Sequence, residues 1–254
     1  MVKKWDVKIP PLTGERTRKA YIYLPDYYDE DEFRRYPVLY MFDGHNVFFD
    51  SDAAYGKSWG MNSYMTWNRK PLIIVAVECN KKGNGRMREY SPYSFEDPKY
   101  GKIRGRGKVY MDWLVNELKP YIDKNYRTLP DREHTIIAGS SMGGLMSLYA
   151  VVEYNDVFSR AACLSPSLWV ARWRVDNMIQ RAKLSPDTVI YMDYGSREMG
   201  NHDGMRKLFA SVTARLMDKQ VWVTSRIVPN GDHCEACWEE QIPFFMHILE
   251  YCRE

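Results

Sequence analysis

The stretch Gly139-Ser140-Ser141-Met142-Gly143-Gly144 constrains this chain more than any other. It follows His134-Thr135-Ile136-Ile137-Ala138, a short apolar run rich in β-branched residues, and opens onto Leu145-Met146-Ser147-Leu148-Tyr149-Ala150-Val151-Val152, a run of good helix formers. The implied order is strand, sharp turn, helix. In that setting Gly-x-Ser-x-Gly is a nucleophile elbow: the serine sits in a strained backbone conformation, and flanking glycines let strand and helix approach closely enough to expose its hydroxyl. Ser141 is the serine that fits. Gly139 and Gly143 stand two residues to either side of it, whereas Ser140 has Ala138 and Met142 in those places, where a side chain would clash.

A chain of 254 residues with 45% hydrophobic content can bury a sizeable core, and it reads as a single domain over residues 1–254. The formal charge of +3 leaves no basic field of the kind that nucleic-acid binding requires. The local basic run from Lys99 to Lys108 is interleaved with glycines and reads as a solvated loop. The 5 cysteines, Cys79, Cys163, Cys234, Cys237 and Cys252, form no disulfide framework and suit a reducing compartment. There is no stretch resembling a signal peptide or a membrane span, so the expected location is cytoplasmic, away from membranes. A homo-oligomer is compatible with this composition.

Two edge strands are expected at 3–9 and 19–24. Buried strands are expected at 37–42 and 71–77, further strands at 134–138, 158–164 and 188–194, and a last strand at 221–228. Helical spacing marks a segment capped by Ser58, one from Val109 to Asn125 bent at Pro120, the elbow helix, a short helix around Met178, one from about Asp203 to Lys219, and one from Ala236 to Cys252. The stretch from Glu78 to Gly107 reads as a long functional or mobile loop, with Arg88 and Glu89 anchoring it through hydrogen bonds ahead of the rival reading, direct contact with substrate. Alternating β and α elements define one doubly wound, mostly parallel sheet with helices on both faces.

Serine is a poor nucleophile at neutral pH without a base. Of the 5 histidines, His134 starts the elbow strand at its far end, His247 lies inside the last helix, His202 is a loop or cap residue, and His45 follows Asp43-Gly44 on the oxyanion side. His233, in Pro229-Asn230-Gly231-Asp232-His233 after the last strand, shares the carboxyl edge with Ser141 and is the expected base. In chains with this elbow the order is serine, acid, histidine. Glu198, in the loop past Gly195, is favoured over Asp193, which is still on the strand. The backbone amides of Met142 and His45 are the expected oxyanion donors. Cys234-Glu235-Ala236-Cys237 lacks a second ligand pair at zinc spacing, and Asp43 with His45 is a lone pair of ligands, so no metal and no cofactor are expected.

The segments Val38-Leu39-Tyr40-Met41-Phe42-Asp43-Gly44, Arg88-Glu89-Tyr90-Ser91-Pro92, Lys119-Pro120-Tyr121-Ile122 to Arg127-Thr128, the elbow, Leu164-Ser165-Pro166-Ser167-Leu168-Trp169 and Gly231-Asp232-His233 carry a resemblance. The chain resembles the α/β-hydrolase esterases grouped with enterochelin esterase, feruloyl and acetylxylan esterases and the mycolyltransferases. The resemblance implies Ser141 as nucleophile, His233 as base, Glu198 as acid and oxyanion amides at His45 and Met142. His45 itself departs from the pattern of many relatives. The expected activity is hydrolysis of a small-molecule or oligosaccharide carboxylic ester through an acyl-enzyme, with acylated carbohydrates ahead of siderophore esters. Acyl transfer to a sugar and a non-catalytic binding module are the rivals. Asp43, Tyr90 and Trp169 are expected near substrate, and Trp59 in an aromatic wall.

Overall fold

The structure, a computed structural model, describes residues 1–200 and 204–251. Its strands are β1 (Val2–Lys8), β2 (Thr17–Tyr23), β3 (Val38–Met41), β4 (Ile73–Val77), β5 (Phe95–Asp97), β6 (Gly101–Ile103), β7 (Thr135–Ser140), β8 (Arg160–Leu164), β9 (Val189–Gly195) and β10 (Trp222–Val228). Its helices are α1 (Pro10–Thr13), α2 (Met61–Asn68), α3 (Gly85–Glu89), α4 (Gly107–Trp113), α5 (Lys119–Asn125), α6 (Met142–Glu153), α7 (Arg172–Arg181), α8 (Met205–Met217) and α9 (Glu235–Tyr251). His202, Asp203 and Cys252 lie outside the described residues.

An 8-stranded sheet runs in the order β1-β2-β4-β3-β7-β8-β9-β10. β2 pairs antiparallel with β1 and β4, and every other neighbour pair is parallel. The apolar runs of β3, β4, β7, β8 and β9 are buried at every position, as parallel strands covered on both faces must be. Successive residues feed opposite cores. Tyr40, Val75, Ile137 and Met192 pack with α6 on one face, while Leu39, Ile74, Ile136 and Tyr191 pack with Met65 of α2 and Trp238 and Phe245 of α9 on the other. Among the described residues, no helix is long and apolar enough to cross a membrane.

Two local expectations are corrected and two are refined. β2 is interior, its apolar residues buried between β1 and β4, so only β1 of that pair is an edge. α2 begins at Met61 behind Gly60 at φ 63°, and the Ser58 hydroxyl instead donates to Asp50 and accepts from the Gly60 amide. The 78–107 stretch holds α3 and the β5–β6 ribbon. It is tied down by a buried ion pair between Arg18 and Glu89 at 2.8 Å. Finally, α4 and α5 are joined by a π-helical turn, Leu114–Leu118, just ahead of Pro120. Proline lacks the N–H for an interior helical bond and its ring crowds the carbonyl four residues back, so a widened turn accommodates the strain.

Candidate active site

The carboxyl ends of β3, β7, β8, β9 and β10 open onto one edge of the sheet, where ligands bind in open α/β folds. β7 delivers Ser141 there with φ 58° and ψ −121°, a conformation that costs an L residue strain and is kept only when its surroundings impose it. Three backbone bonds do so: Ser141 N–H donates to Leu164 O, and Ser141 O accepts from Leu145 and Ser167. The glycines are required by proximity. A Cβ on Gly139 would meet the Gly143 carbonyl carbon at 2.7 Å, and one on Gly143 would meet Phe42 Cβ at 2.9 Å.

The loops after β9 and β10 are laced together, with Arg197 N–H donating to Gly231 O and Asn230 N–H to Ser196 Oγ. Here Gly195 and Gly231 touch so closely that a Cβ on Gly195 would lie 2.3 Å from Gly231 O. The lacing sets His233 Nδ1 at 2.5 Å from Glu198 Oε2. Glu198 is 3% exposed, and its other oxygen accepts from Gly195 N–H and Ser165 Oγ, both at 2.6 Å. Ser165 Oγ in turn accepts from Trp238 Nε1, whose ring stands edge-on to His233 at 5.0 Å. A carboxylate this well satisfied holds an imidazole with its proton on Nδ1 and its Nε2 lone pair free.

Asp193 is committed elsewhere. It is 1% exposed, accepts from Tyr191 Oη at 2.9 Å and Ser165 N–H at 3.1 Å, and burial raises its carboxyl to about 7.

Ser141, Met142, Trp169, Glu198 and His233 share a cleft of about 300 Å³, which Arg86 and Tyr100 also line. Ser167 Oγ is 3.5 Å from Ser141 Oγ, a contact too long for a strong hydrogen bond. A larger groove of about 600 Å³ lies between α8 and β10, away from these groups. Met142 opens α6, so its N–H is among those a helix leaves without an intrahelical acceptor. On the opposite side, the turn after β3 carries Asp43 at φ 55° and His45 in a single 3-10 turn.

Two expected neighbours of substrate, Tyr90 and Asp43, are not among the residues that line the cleft. Tyr90 is 0% exposed, packs on Phe42 and Tyr110, and accepts from Asp43 N–H. Asp43 is 6% exposed and binds the Nε and Nη2 groups of Arg86 at 2.8 and 2.7 Å. Trp59 is buried in the other core against Trp238 and Phe245. Trp169 does line the cleft, edge-on to Phe95. Ser165, Trp238 and Arg86 carry structural roles here that spacing did not reveal. The Ser-Pro-Ser turn after β8 was the available signal for the first of them.

Burial opposes ionisation of Asp43, but the Arg86 guanidinium outweighs it and holds the carboxyl below its usual range. The pair therefore contributes stability that is present above the carboxyl's unfolded pKa and lost as pH falls through the lower folded value. Arg86→Met strands a buried carboxylate. Urea unfolding is expected to show a loss of about 3 kcal/mol at pH 7, the low end for breaking a buried pair because Arg86 is partly exposed. The gap from wild type should narrow at an acid pH below that lowered folded value, where Asp43 is protonated in both proteins. An equal gap at both pH values would detach the effect from Asp43.

Sheet order, elbow and cleft define a hydrolase of the α/β-hydrolase fold. The family model Esterase, described as "Putative esterase", matches residues 13–245, and the chain belongs to that family of ester-hydrolysing enzymes. It is 26% identical to the uncharacterised protein YbbA of Bacillus subtilis over 186 residues, 71% of this chain and 69% of that one. It is also 26% identical over 206 residues, 78% of its length, to an endo-1,4-beta-xylanase/feruloyl esterase of Xylanibacter ruminicola, of which it spans only 25%. Among solved structures it is similar to an IroE-like serine hydrolase from Shewanella oneidensis, with TM-score 0.74, 20% identity, and 99% and 79% of the two chains covered. An enterobactin esterase from Shigella flexneri matches with TM-score 0.75 at 17% identity, covering 99% of this chain and 59% of that one. At these identities the structural likeness establishes the fold alone.

Proposed function

We propose that the protein is a serine carboxylesterase that works through an acyl-enzyme and acts on acylated carbohydrates of the feruloyl or acetyl type. The observation that carries the reading is the strained Ser141 facing the same cleft as the Glu198-held imidazole of His233. His233 Nε2 takes the proton of Ser141 Oγ as the oxygen attacks the ester carbonyl. The amides of Met142 and His45 receive the developing oxyanion, at about 3 kcal/mol per donor. His233 then returns the proton to the leaving alcohol, and water repeats the sequence to free the acid.

The substrate class rests on the cleft and its company. At about 300 Å³ it is at the small end for ligand pockets, suited to one acyl group, and three aromatic side chains, Trp169, Tyr100 and Tyr194, are among those that line it. The Xylanibacter ruminicola relative joins a xylanase to a feruloyl esterase.

Initial rates on feruloylated and acetylated xylo-oligosaccharides and on a catecholate siderophore lactone test this reading. The sugar esters are expected to lead in kcat/KM by tenfold or more, on the order of 1.4 kcal/mol. The reverse order would move the enzyme to siderophore esters, as the enterobactin esterase neighbour would suggest. Product diverted to an added sugar alcohol in preference to water would make it an acyltransferase.

A further inference from the structure

The turn after β3 and the exit of β4 bring together three donors that ester hydrolysis does not consume. Asp43, His45 and Cys79 are 6%, 3% and 6% exposed, and one ligating atom from each lies within 4.8 Å of the others. His45 Nδ1 is buried with no hydrogen-bond partner among the described residues, where buried ring nitrogens normally find one. Asp43 is oriented by the two-pronged contact with Arg86, and the Cys79 thiol donates to the same carboxylate, so sulfur and oxygen already face one another. The carboxylate held by an outer guanidinium and the orphaned imidazole nitrogen have the character of a ligand set with its orienting partner already in place.

We propose that Asp43, His45 and Cys79 bind a divalent metal ion of borderline softness, Zn2+ in the first instance, which clamps the turn after β3 to the exit of β4. One nitrogen, one sulfur and one oxygen donor suit Zn2+ or Co2+ and not Mg2+ or Ca2+, which prefer oxygen alone. A solvent molecule completes four-coordination, and the Cys79 thiol gives up its proton to solvent on binding. The ion would brace the turn that carries the His45 amide. Binding itself is read without any ester and stands or falls independently of the hydrolase reading. Sequence spacing offered only Asp43 and His45; the third donor arrives because β3 and β4 are parallel neighbours.

The full chain, stripped with chelator and titrated with Co2+, should develop a thiolate-to-cobalt charge-transfer band in the near ultraviolet that saturates at one equivalent and is displaced by Zn2+. Cys79→Ser should abolish the band. His45→Gln should weaken Zn2+ at least as much as the roughly 10–100-fold known for loss of a second-shell partner. The double variant Cys234→Ser/Cys237→Ser should keep both band and affinity. Circular dichroism on each variant confirms folding, and His45→Gln decides the matter if Cys79→Ser does not fold. A chain that shows no band and retains no Zn2+ at micromolar concentration overturns the proposal. So does a band that survives Cys79→Ser and disappears in the double variant.

Discussion

Ser141→Ala is expected to leave a folded protein whose turnover of a short activated aryl ester falls by at least about five orders of magnitude, the scale seen when a triad serine is removed elsewhere. The substitution deletes only Oγ, the atom that would form the acyl bond. The backbone at φ 58° is held from outside by Leu164, Leu145 and Ser167, so alanine should occupy the same conformation and thermal unfolding should shift little. Residual rate above the uncatalysed reaction would come from the oxyanion amides and from binding alone. Ser140→Ala is the matched control. Ser140 is the last residue of β7, 6% exposed and paired with Leu164, and its loss should change turnover only a few-fold. A serine-directed phosphonate should label wild type and Ser140→Ala at Ser141 and leave Ser141→Ala unmodified. Full activity in Ser141→Ala, or labelling of another residue, would remove the acyl-enzyme.

The elbow was legible because its requirement is local. A left-handed serine between two forced close approaches can be met by glycine at two fixed offsets, and those offsets survive in the sequence as Gly139 and Gly143. The buried strands were legible for a similar reason, since residues covered on both faces leave continuous apolar runs. What spacing could not reach depends on contacts between distant segments. Tyr90 and Trp59 were expected near substrate as aromatics, yet an aromatic ring fills a core as readily as it lines a pocket, and only packing distinguishes the two. β2 was read as an edge because its sequence alternates toward polar residues at its start. It is interior because β4, far along the chain, pairs with it on the side away from β1. The links from Trp238 to Ser165 to Glu198 join α9 to two loops far apart in sequence, each hydrogen bond chosen by the fold and by no motif.

The choice of acid is the other large effect, and the geometry makes its outcome directional. Glu198→Gln keeps shape and removes charge. Two donors, Gly195 N–H and Ser165 Oγ–H, converge on Glu198 Oε1 at 2.6 Å, so the amide oxygen of glutamine must take that side. Its NH2 group then faces His233 Nδ1 and donates to it. Nδ1 becomes an acceptor, the imidazole proton moves to Nε2, and the nitrogen facing the cleft can no longer accept from Ser141. Such a tautomer reversal costs about 10⁴ in kcat in the serine proteases, and a comparable fall is expected here with KM little changed. Asp193→Asn should behave in the opposite way. Its carboxyl, raised by burial to about 7, holds a proton in the folded protein that the unfolded chain has already lost, so wild-type stability declines as pH climbs from the ordinary carboxylate range toward 7. Asparagine carries no such penalty, so Asp193→Asn should keep turnover within a few-fold and lose less stability than wild type between pH 5 and pH 8. If Glu198→Gln turned over normally while Asp193→Asn was inert, the acid would have to be reassigned to the strand. If both were active, Ser141 and His233 would work as a pair, and the hydrogen bonds converging on Glu198 would serve only to hold the loops after β9 and β10 together.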